Sequence, residues 1–418
     1  MEVRHADCPN AYLNGKASKL ALVKLPKYWN AINGDQLGKD GDPVIMRNSL
    51  YGTPDAGRNW NHVINEFLIG LGFIRAHSEP CFYSMRKGKS FIHVVLWVDD
   101  IFYTSNKDTF YSSFESSMVK RFSAKLLGKL NFALGLHFKW TSNGCTVNQS
   151  KYIEKIVQKF GLEKDFRTNT PITLETKLTR KCGGEDMTVV AENKVDGSFP
   201  YRQIIGSLMY LAVNTRPDIT FVTGLLVRFS NFVQQPHIEA VQHLLRYIKT
   251  TKDVGMFFPF GDGELHIRSW CDAAFNDDMD KGKSTLGYII FINSSPVSWY
   301  SKLSTTVPTS SMEAELLALY ECACETKWLV HLTDEMEIPR DSTPIIYGDN
   351  KPSLKVIGNH ATTKRTRHLH PKYFALQDWN QQRIFDFMFT TSLDQIADHL
   401  TKPTTQNQMA GFYSQFSL

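Results

Sequence analysis

Short apolar runs broken by polar turns alternate along this chain with stretches in which apolar residues return every three or four positions. Phe91–Val98 predicts a buried strand, being apolar, rich in β-branched residues and short. It stops at Asp99-Asp100, and Ile101–Thr104 resumes the strand pattern, which predicts a hairpin with two carboxylates at its tip. Val44–Leu50 reads as a strand, and Asn59–Leu71 as a helix with Val63, Phe67 and Leu71 on one face. Phe110–Phe122 and Tyr152–Phe160 also have helical periodicity. Residues 168–200 are polar, contain Gly183-Gly184 and predict a long linker. Tyr201–Arg216, Ile219–Phe232 and Pro236–Lys249 predict helices, the first two split at Arg216-Pro217-Asp218, where proline suits a first helical position.

After Gly261-Asp262-Gly263 the rhythm changes. Leu265–Cys271, Leu286–Asn293 and Val297–Ser301 predict strands, and Ser311–Leu332 a long helix. Pro344–Tyr347 and Arg383–Phe389 predict two more strands, Lys351–Ile357 a short helix and Asp394–Leu400 a final one. The order is three strands, helix, strand, helix, strand, helix.

Composition narrows the class. A length of 418 residues suggests two or three domains, and 42% hydrophobic with 21% charged residues is ordinary for a globular chain. The 27 Phe, 16 Tyr and 8 Trp argue against disorder over most of it. A net charge of +5 suits an anionic partner without requiring one. Seven cysteines, with no C-x-x-C pair, argue against a disulfide framework and a zinc module, and favour a reducing compartment. The start Met1-Glu2-Val3-Arg4-His5 is no signal peptide, and no apolar run approaches the ~18 residues of a membrane span.

The chemistry lies in the carboxylates. Phosphodiester reactions use two divalent cations roughly 3.5–4 Å apart, held by carboxylates from separate elements. Mg²⁺ prefers oxygen ligands, so Asp and Glu at the ends of buried strands are the pattern to seek. Asp99 and Asp100 fit it: adjacent like charges repel, and a cation removes the cost. The bland alternative is a turn that uses Asp for its backbone preferences. Asp272 follows the Leu265–Cys271 strand, Asp349 follows Ile345-Ile346-Tyr347, Glu313 and Glu315 sit near the start of the long helix, and Asp398 lies in the final helix. Singly, Asp272 or Asp349 could be a helix cap, and Asp398 could face solvent. Together they follow the order of the elements.

These residues sit in motifs that resemble the Pol polyprotein of copia-type long-terminal-repeat retrotransposons, from about residue 4 to about residue 404. Asp7–Gly15 is similar to the family's first palm motif, Ser49–Ala56 to S-L-Y-G-L-K-Q-A, and Trp97-Val98-Asp99-Asp100 to Y-V-D-D. Tyr201–Ala212 and Thr215–Ile219 resemble the stretch between polymerase and nuclease. Ser311–Glu315, Asp349-Asn350, Lys364–His368 and Ala397–Pro403 resemble the ribonuclease H motifs. The resemblance implies an α+β and α/β multidomain chain. A partial reverse transcriptase palm would occupy residues 1–140, without the upstream fingers since the chain starts at the first palm motif. A thumb or connection region would occupy 141–262, with its polar linker at about 168–200. A ribonuclease H-like domain with a mixed five-stranded sheet would occupy 263–404, and a tail 405–418.

The resemblance also implies roles. Asp7, Asp99 and Asp100 would be the polymerase metal ligands, Tyr12 the gate against a ribose 2′-OH, and Asp55 a neighbour of the nucleotide. Asp272, Glu315, Asp349 and Asp398 would be the nuclease ligands, Glu315 being chosen over Glu313 from the context Ala314-Glu315-Leu316-Leu317-Ala318-Leu319. Two Mg²⁺ or Mn²⁺ ions per site, an RNA template, an RNA/DNA hybrid and deoxynucleoside triphosphates are the implied cofactors and partners. The implied location is cytoplasmic, in a virus-like particle, with the nucleus as a second site. Lys364, Arg365, Arg367 and Lys372 would track hybrid phosphates, against the alternative of a solvated loop. Some positions depart from the pattern. Asp55 stands where the family has Gln, Trp97 replaces Tyr, and Pro9 would remove a backbone donor if its segment were a strand. The expected activities are thus RNA-directed DNA polymerase and RNA/DNA-hybrid endoribonuclease. The departures weigh on the polymerase half, and the alternative is a non-catalytic relic that at most binds nucleic acid.

Overall fold

The computed structural model describes residues 1–33, 38–160, 167–180, 199–261, 264–358 and 371–416. They form two compact units, Met1–Ala133 and Leu134–Leu418. No helix among the described residues is long and apolar enough to cross a membrane.

The first unit is built on a six-stranded sheet. At its centre Val3–Asp7 pairs antiparallel with Asp100–Ser105, which pairs with Ser90–Trp97. Alternation along these strands gives each face its role. Val94, Leu96, Ile101 and Tyr103 face the helices Ala56–Gly70 and Asp108–Phe122 and join Ile64, Leu68, Phe114 and Met118 in one core. The ladder sets Asp7 directly opposite Asp100. Trp97 pairs with Asp100, leaving Val98-Asp99 as the two-residue turn. Val98 has φ 53°, an uncommon conformation for a β-branched residue. The Trp60 indole donates to its carbonyl at 2.8 Å and holds the tip. The strand from Val3 ends at Asp7, and the amide of Cys8 makes the next bond, to Asp99 O. Pro9 therefore lies beyond the ladder and removes no donor from it.

In the second unit, helices Tyr201–Asn214, Thr220–Val227 and Gln235–Thr250 form one apolar core with Ile153 and Ile156 of the helix Ser150–Lys159. The helix expected over Ile219–Phe232 is shorter, with a 3₁₀ turn at Pro217–Ile219 before it. Downstream are five strands: β1 (Ile267–Ala274), β2 (Thr285–Ile292), β3 (Ser295–Leu303), β4 (Ile345–Gly348) and β5 (Asp386–Phe389). The sheet order is β3-β2-β1-β4-β5, antiparallel across β1–β3 and parallel from β1 to β5. The long helix Ser311–Glu335 covers one face, where Ser269 of β1 hydrogen-bonds to Thr326 at 2.9 Å. The 3₁₀ turn Ile396–Leu400 and the helix Gln406–Ser414 contribute Leu400 and Phe412 to a core on the other face, with Ile289 and Phe291.

Several expectations change here. β1 runs past Cys271, so Asp272 lies inside the strand rather than after it. The final helix expected at Asp394–Leu400 is a 3₁₀ turn over Ile396–Leu400. The helix Pro371–Gln381 was not anticipated. Residues 405–418, expected as a tail, carry a helix whose Met409 and Phe412 are buried.

Candidate functional site

Carboxylates gather at one end of the five-stranded sheet of the second unit. Asp272 comes from β1, Asp349 from just beyond β4, the neighbouring parallel strand, and Glu315 from the second turn of the long helix. One oxygen from each lies within 4.8 Å of the others, and among the described residues no other such acidic, His or Cys group forms. The helix start explains which glutamate enters. Ser310 caps it, accepting from the Glu313 amide, and the Glu313 carboxylate turns back to the Thr309 amide and hydroxyl at 2.7 and 2.8 Å. Glu313 is used in the cap, and Glu315, two residues on, is buried against Asp272 and Asp349.

Neighbours orient the acids. Thr401 Oγ1 donates to Asp272 Oδ2, and Ser392 Oγ to Asp349 Oδ2 at 3.3 Å. Asp398 lies outside the trio, and Lys402 Nζ sits 2.9 Å from its Oδ1. A cavity of about 540 Å³ opens beside the group and is lined by Trp270, Tyr347 and Phe412; of the four acids only Asp398 borders it.

The electrostatics match a site built for cations. Burial, then the charges of Asp272 and Asp349, push the Glu315 carboxyl up to about 9, against Lys402 and the Ala273 amide. Burial and Asp272 push Asp398 up to about 6, against Lys402. Asp349 is raised by the same two causes. Oxygen donors so crowded are the set a hard divalent cation takes, and the residues fit Mg²⁺ or Mn²⁺.

A pH dependence follows. Each of these groups has a folded pKa above its unfolded value, so the stability it contributes is complete below about pH 4 and is lost as pH rises toward about 9. In EDTA the wild-type Tm is expected to fall between pH 6 and pH 8.5, and Mg²⁺ to raise Tm more at the higher pH. Calorimetric scans at the two pH values check this; a Mg²⁺ shift that is equal or smaller at pH 8.5 would contradict it.

Gly287 of β2, directly across from Asp272, lets the Thr401 segment approach. A Cβ there would come 2.7 Å from Thr401 Cγ2 and 2.9 Å from Leu400 Cβ. Gly287→Ala is expected to cost about 1–3 kcal/mol through overpacking, read in urea unfolding, and to weaken Mg²⁺ binding by displacing the Thr401 hydroxyl from Asp272.

In the first unit the paired aspartates have protein partners. His5 Nε2 lies 2.6 Å from Asp100 Oδ1, and the Tyr51 hydroxyl donates to Asp99 Oδ2 at 3.0 Å. Burial raises the Asp99 carboxyl, Asp7 and Asp100 add to this, and Tyr51 works against it. Asp99 Oδ1 is buried with no hydrogen-bond partner, an atom a cation would satisfy. Tyr12 lies in the 3₁₀ turn Ala11–Asn14 with its ring 4.6 Å from that of Tyr51. Asp55 accepts from the Ser18 amide at 3.1 Å and from Asn59 Nδ2 at 3.0 Å; hydrogen bonding from the Ser18 side chain, then from its amide and from Asn59, brings the carboxyl down to about 2. Trp97 is largely exposed beside the tip.

Of the expected basic run, Lys364, Arg365 and Arg367 lie outside the described residues. Lys372 pairs with Glu321 at 2.8 Å and lies over the Tyr320 ring, which ties it to the long helix. Sequence reasoning missed His5, Tyr51, Ser392, Thr401 and Lys402. The last two stand within Ala397–Pro403, the stretch already quoted for Asp398.

A family model for reverse transcriptase (RNA-dependent DNA polymerase) matches residues 1–174. The Pol polyprotein of transposon RE1 from Arabidopsis thaliana is 28% identical over 418 residues, all of this chain and 27% of the relative. That of transposon TNT 1-94 from Nicotiana tabacum is 28% identical over 98% of this chain and 30% of the relative. The chain thus spans less than a third of either polyprotein. Among solved structures, LC11-RNase H1 in complex with an RNA/DNA hybrid overlaps 32% of this chain and 93% of its own at 13% identity and a TM-score of 0.25. With relatives of one kind aligned from end to end, the chain belongs to the copia-type retrotransposon Pol family and carries a reverse transcriptase domain over residues 1–174.

Proposed function

We propose that the Leu134–Leu418 unit cleaves the RNA strand of RNA/DNA hybrids with divalent metal ions. The observation that carries this reading is the meeting of Asp272, Glu315 and Asp349 oxygens within 4.8 Å at the end of the sheet. When bound, the ions would supply charge neutralisation at the attacking and leaving oxygens of the phosphodiester. Asp272, Glu315 and Asp349 would hold them, with Asp398 as the fourth ligand. Thr401 and Ser392 fix two of these carboxylates before substrate arrives, so less reorganisation is left for the reaction. The test is Mg²⁺-dependent cleavage of a labelled hybrid, with Asp349→Asn alongside. No cleavage by the wild type, or cleavage that survives the substitution, sinks the proposal.

For the Met1–Ala133 unit the reading is nucleotide addition at Asp7, Asp99 and Asp100, with Tyr12 and Asp55 near the incoming deoxynucleoside triphosphate. The bonds from His5 to Asp100 and from Tyr51 to Asp99 favour a second reading, in which the unit holds primer and template without extending them. Primer extension on an RNA template decides: extension that Asp99→Asn abolishes supports the first, and binding of primer–template without extension supports the second.

A further inference from the structure

The crowded acids at one end of the sheet need a counter-charge before a divalent cation arrives, and one side chain supplies it. Lys402 follows Asp398 by four residues, so the tight turn between them stacks the two side chains on one side, with Nζ 2.9 Å from Asp398 Oδ1. Its backbone amide also bonds to Asp398 O at 3.1 Å, which fixes the turn. The preceding residue, Thr401, donates to Asp272. Two adjacent residues thus engage two of the four acids. The Asp398 side chain is nearly buried at 10% exposure, whereas that of Lys402 is 46% exposed, so the ammonium can leave toward solvent while the carboxylate stays.

We propose that Lys402 is a positioning residue of the metal site: its ammonium is the resident counter-ion that holds Asp398 in place and competes with a divalent cation for it. This rests on the nuclease reading above. At 2.9 Å from Asp398 Oδ1 and nearly half exposed, the ammonium is held by the carboxylate and still open to solvent. Its removal has two opposite effects. The metal-free site loses its only close cation among the described residues and becomes less stable. The incoming metal loses a competitor and a repulsive charge, and binds more tightly. A half-exposed pair in high dielectric makes the gain modest, on the order of fivefold in affinity.

The experiment titrates the full chain with Mg²⁺ by calorimetry at pH 8, with Glu315→Gln as the blank for this site and no nucleic acid present. Lys402→Gln and Lys402→Met are expected to bind Mg²⁺ about fivefold more tightly than wild type and to melt lower in EDTA, while Lys402→Arg keeps the wild-type affinity. Equal or weaker binding by the Gln and Met variants overturns the proposal and leaves the nuclease reading standing. A wild type that binds no more Mg²⁺ than Glu315→Gln overturns both.

Discussion

Glu315→Gln is expected to lower hybrid cleavage on the order of 10³-fold or more, about 4 kcal/mol of lost transition-state stabilisation, and yet to leave the metal-free fold close to wild-type stability. The two halves have one cause. Burial with Asp272 and Asp349 alongside pushes Glu315 up to about 9, so at neutral pH in EDTA it already carries its proton. Glutamine has the same shape and the same zero charge, and the metal-free protein has little to lose. The metal-bound protein needs the anion, which glutamine cannot supply. A purely structural glutamate would behave the other way, with lost stability and retained cleavage. Melting with and without Mg²⁺ at pH 8, beside single-turnover cleavage, separates the two. The variant should lose most of the Mg²⁺-induced rise in Tm and most of the wild-type fall in Tm between pH 6 and 8.5. Cleavage within tenfold of wild type would remove Glu315 from the ligand set.

What could be read from the sequence divides along a physical line. Periodicity reports local burial, and it found all five strands of the second unit's sheet from short apolar or alternating runs between polar breaks. It also found the tip at Asp99-Asp100, where an apolar run meets two charges. It missed Pro371–Gln381, whose Tyr373, Phe374, Leu376 and Trp379 do not make a clean stripe, and Gln406–Ser414, where Met409 and Phe412 are set among polar residues. Those helices form because tertiary surface awaits their few apolar side chains. At the site, residue type and order pointed to four acids, but not to the partners that decide what each can do. His5 meets Asp100 only through the antiparallel register of Val3–Asp7 with Asp100–Ser105, and Thr401 reaches Asp272 only because Gly287 leaves room. Such pairings are long-range and leave no local periodicity. The choice of Glu315 over Glu313 came from motif context; the physical difference between them is the Thr309–Ser310 cap.

Asp218→Ala carries the largest expected loss of stability in the second unit. Thr215–Ile219 read in sequence as a helix boundary, and the structure makes it a buried ionic knot. Arg216 is fully buried and grips Asp218 with two parallel bonds, Nε to Oδ1 at 2.9 Å and one terminal nitrogen to Oδ2 at 2.7 Å. The guanidinium also donates to the Thr251 carbonyl and hydroxyl at the end of Gln235–Thr250. Asp218 Oδ2 accepts from Tyr247 and from Tyr413, each at 2.8 Å, and Tyr413 belongs to the C-terminal helix. Neighbouring Phe412 stacks on His399, beside Asp398, at 4.4 Å. The alanine variant strips Arg216 of its counter-charge and both tyrosines of their acceptor, at a cost of about 3–5 kcal/mol. For a unit of this size that is a fall in Tm of roughly 10 °C. Replacing both charges with apolar residues of similar volume, Arg216→Met with Asp218→Leu, should recover much of the loss, because the damage lies in the orphaned cation rather than in the missing bond. Equilibrium unfolding of the wild type, the single and the double variant tests this. A single variant within about 1 kcal/mol of wild type would mean that water reaches Arg216 and the knot is not dry. A double variant no better than the single would mean that the tyrosine contacts to the C-terminal helix, rather than the charge pair, hold the unit together.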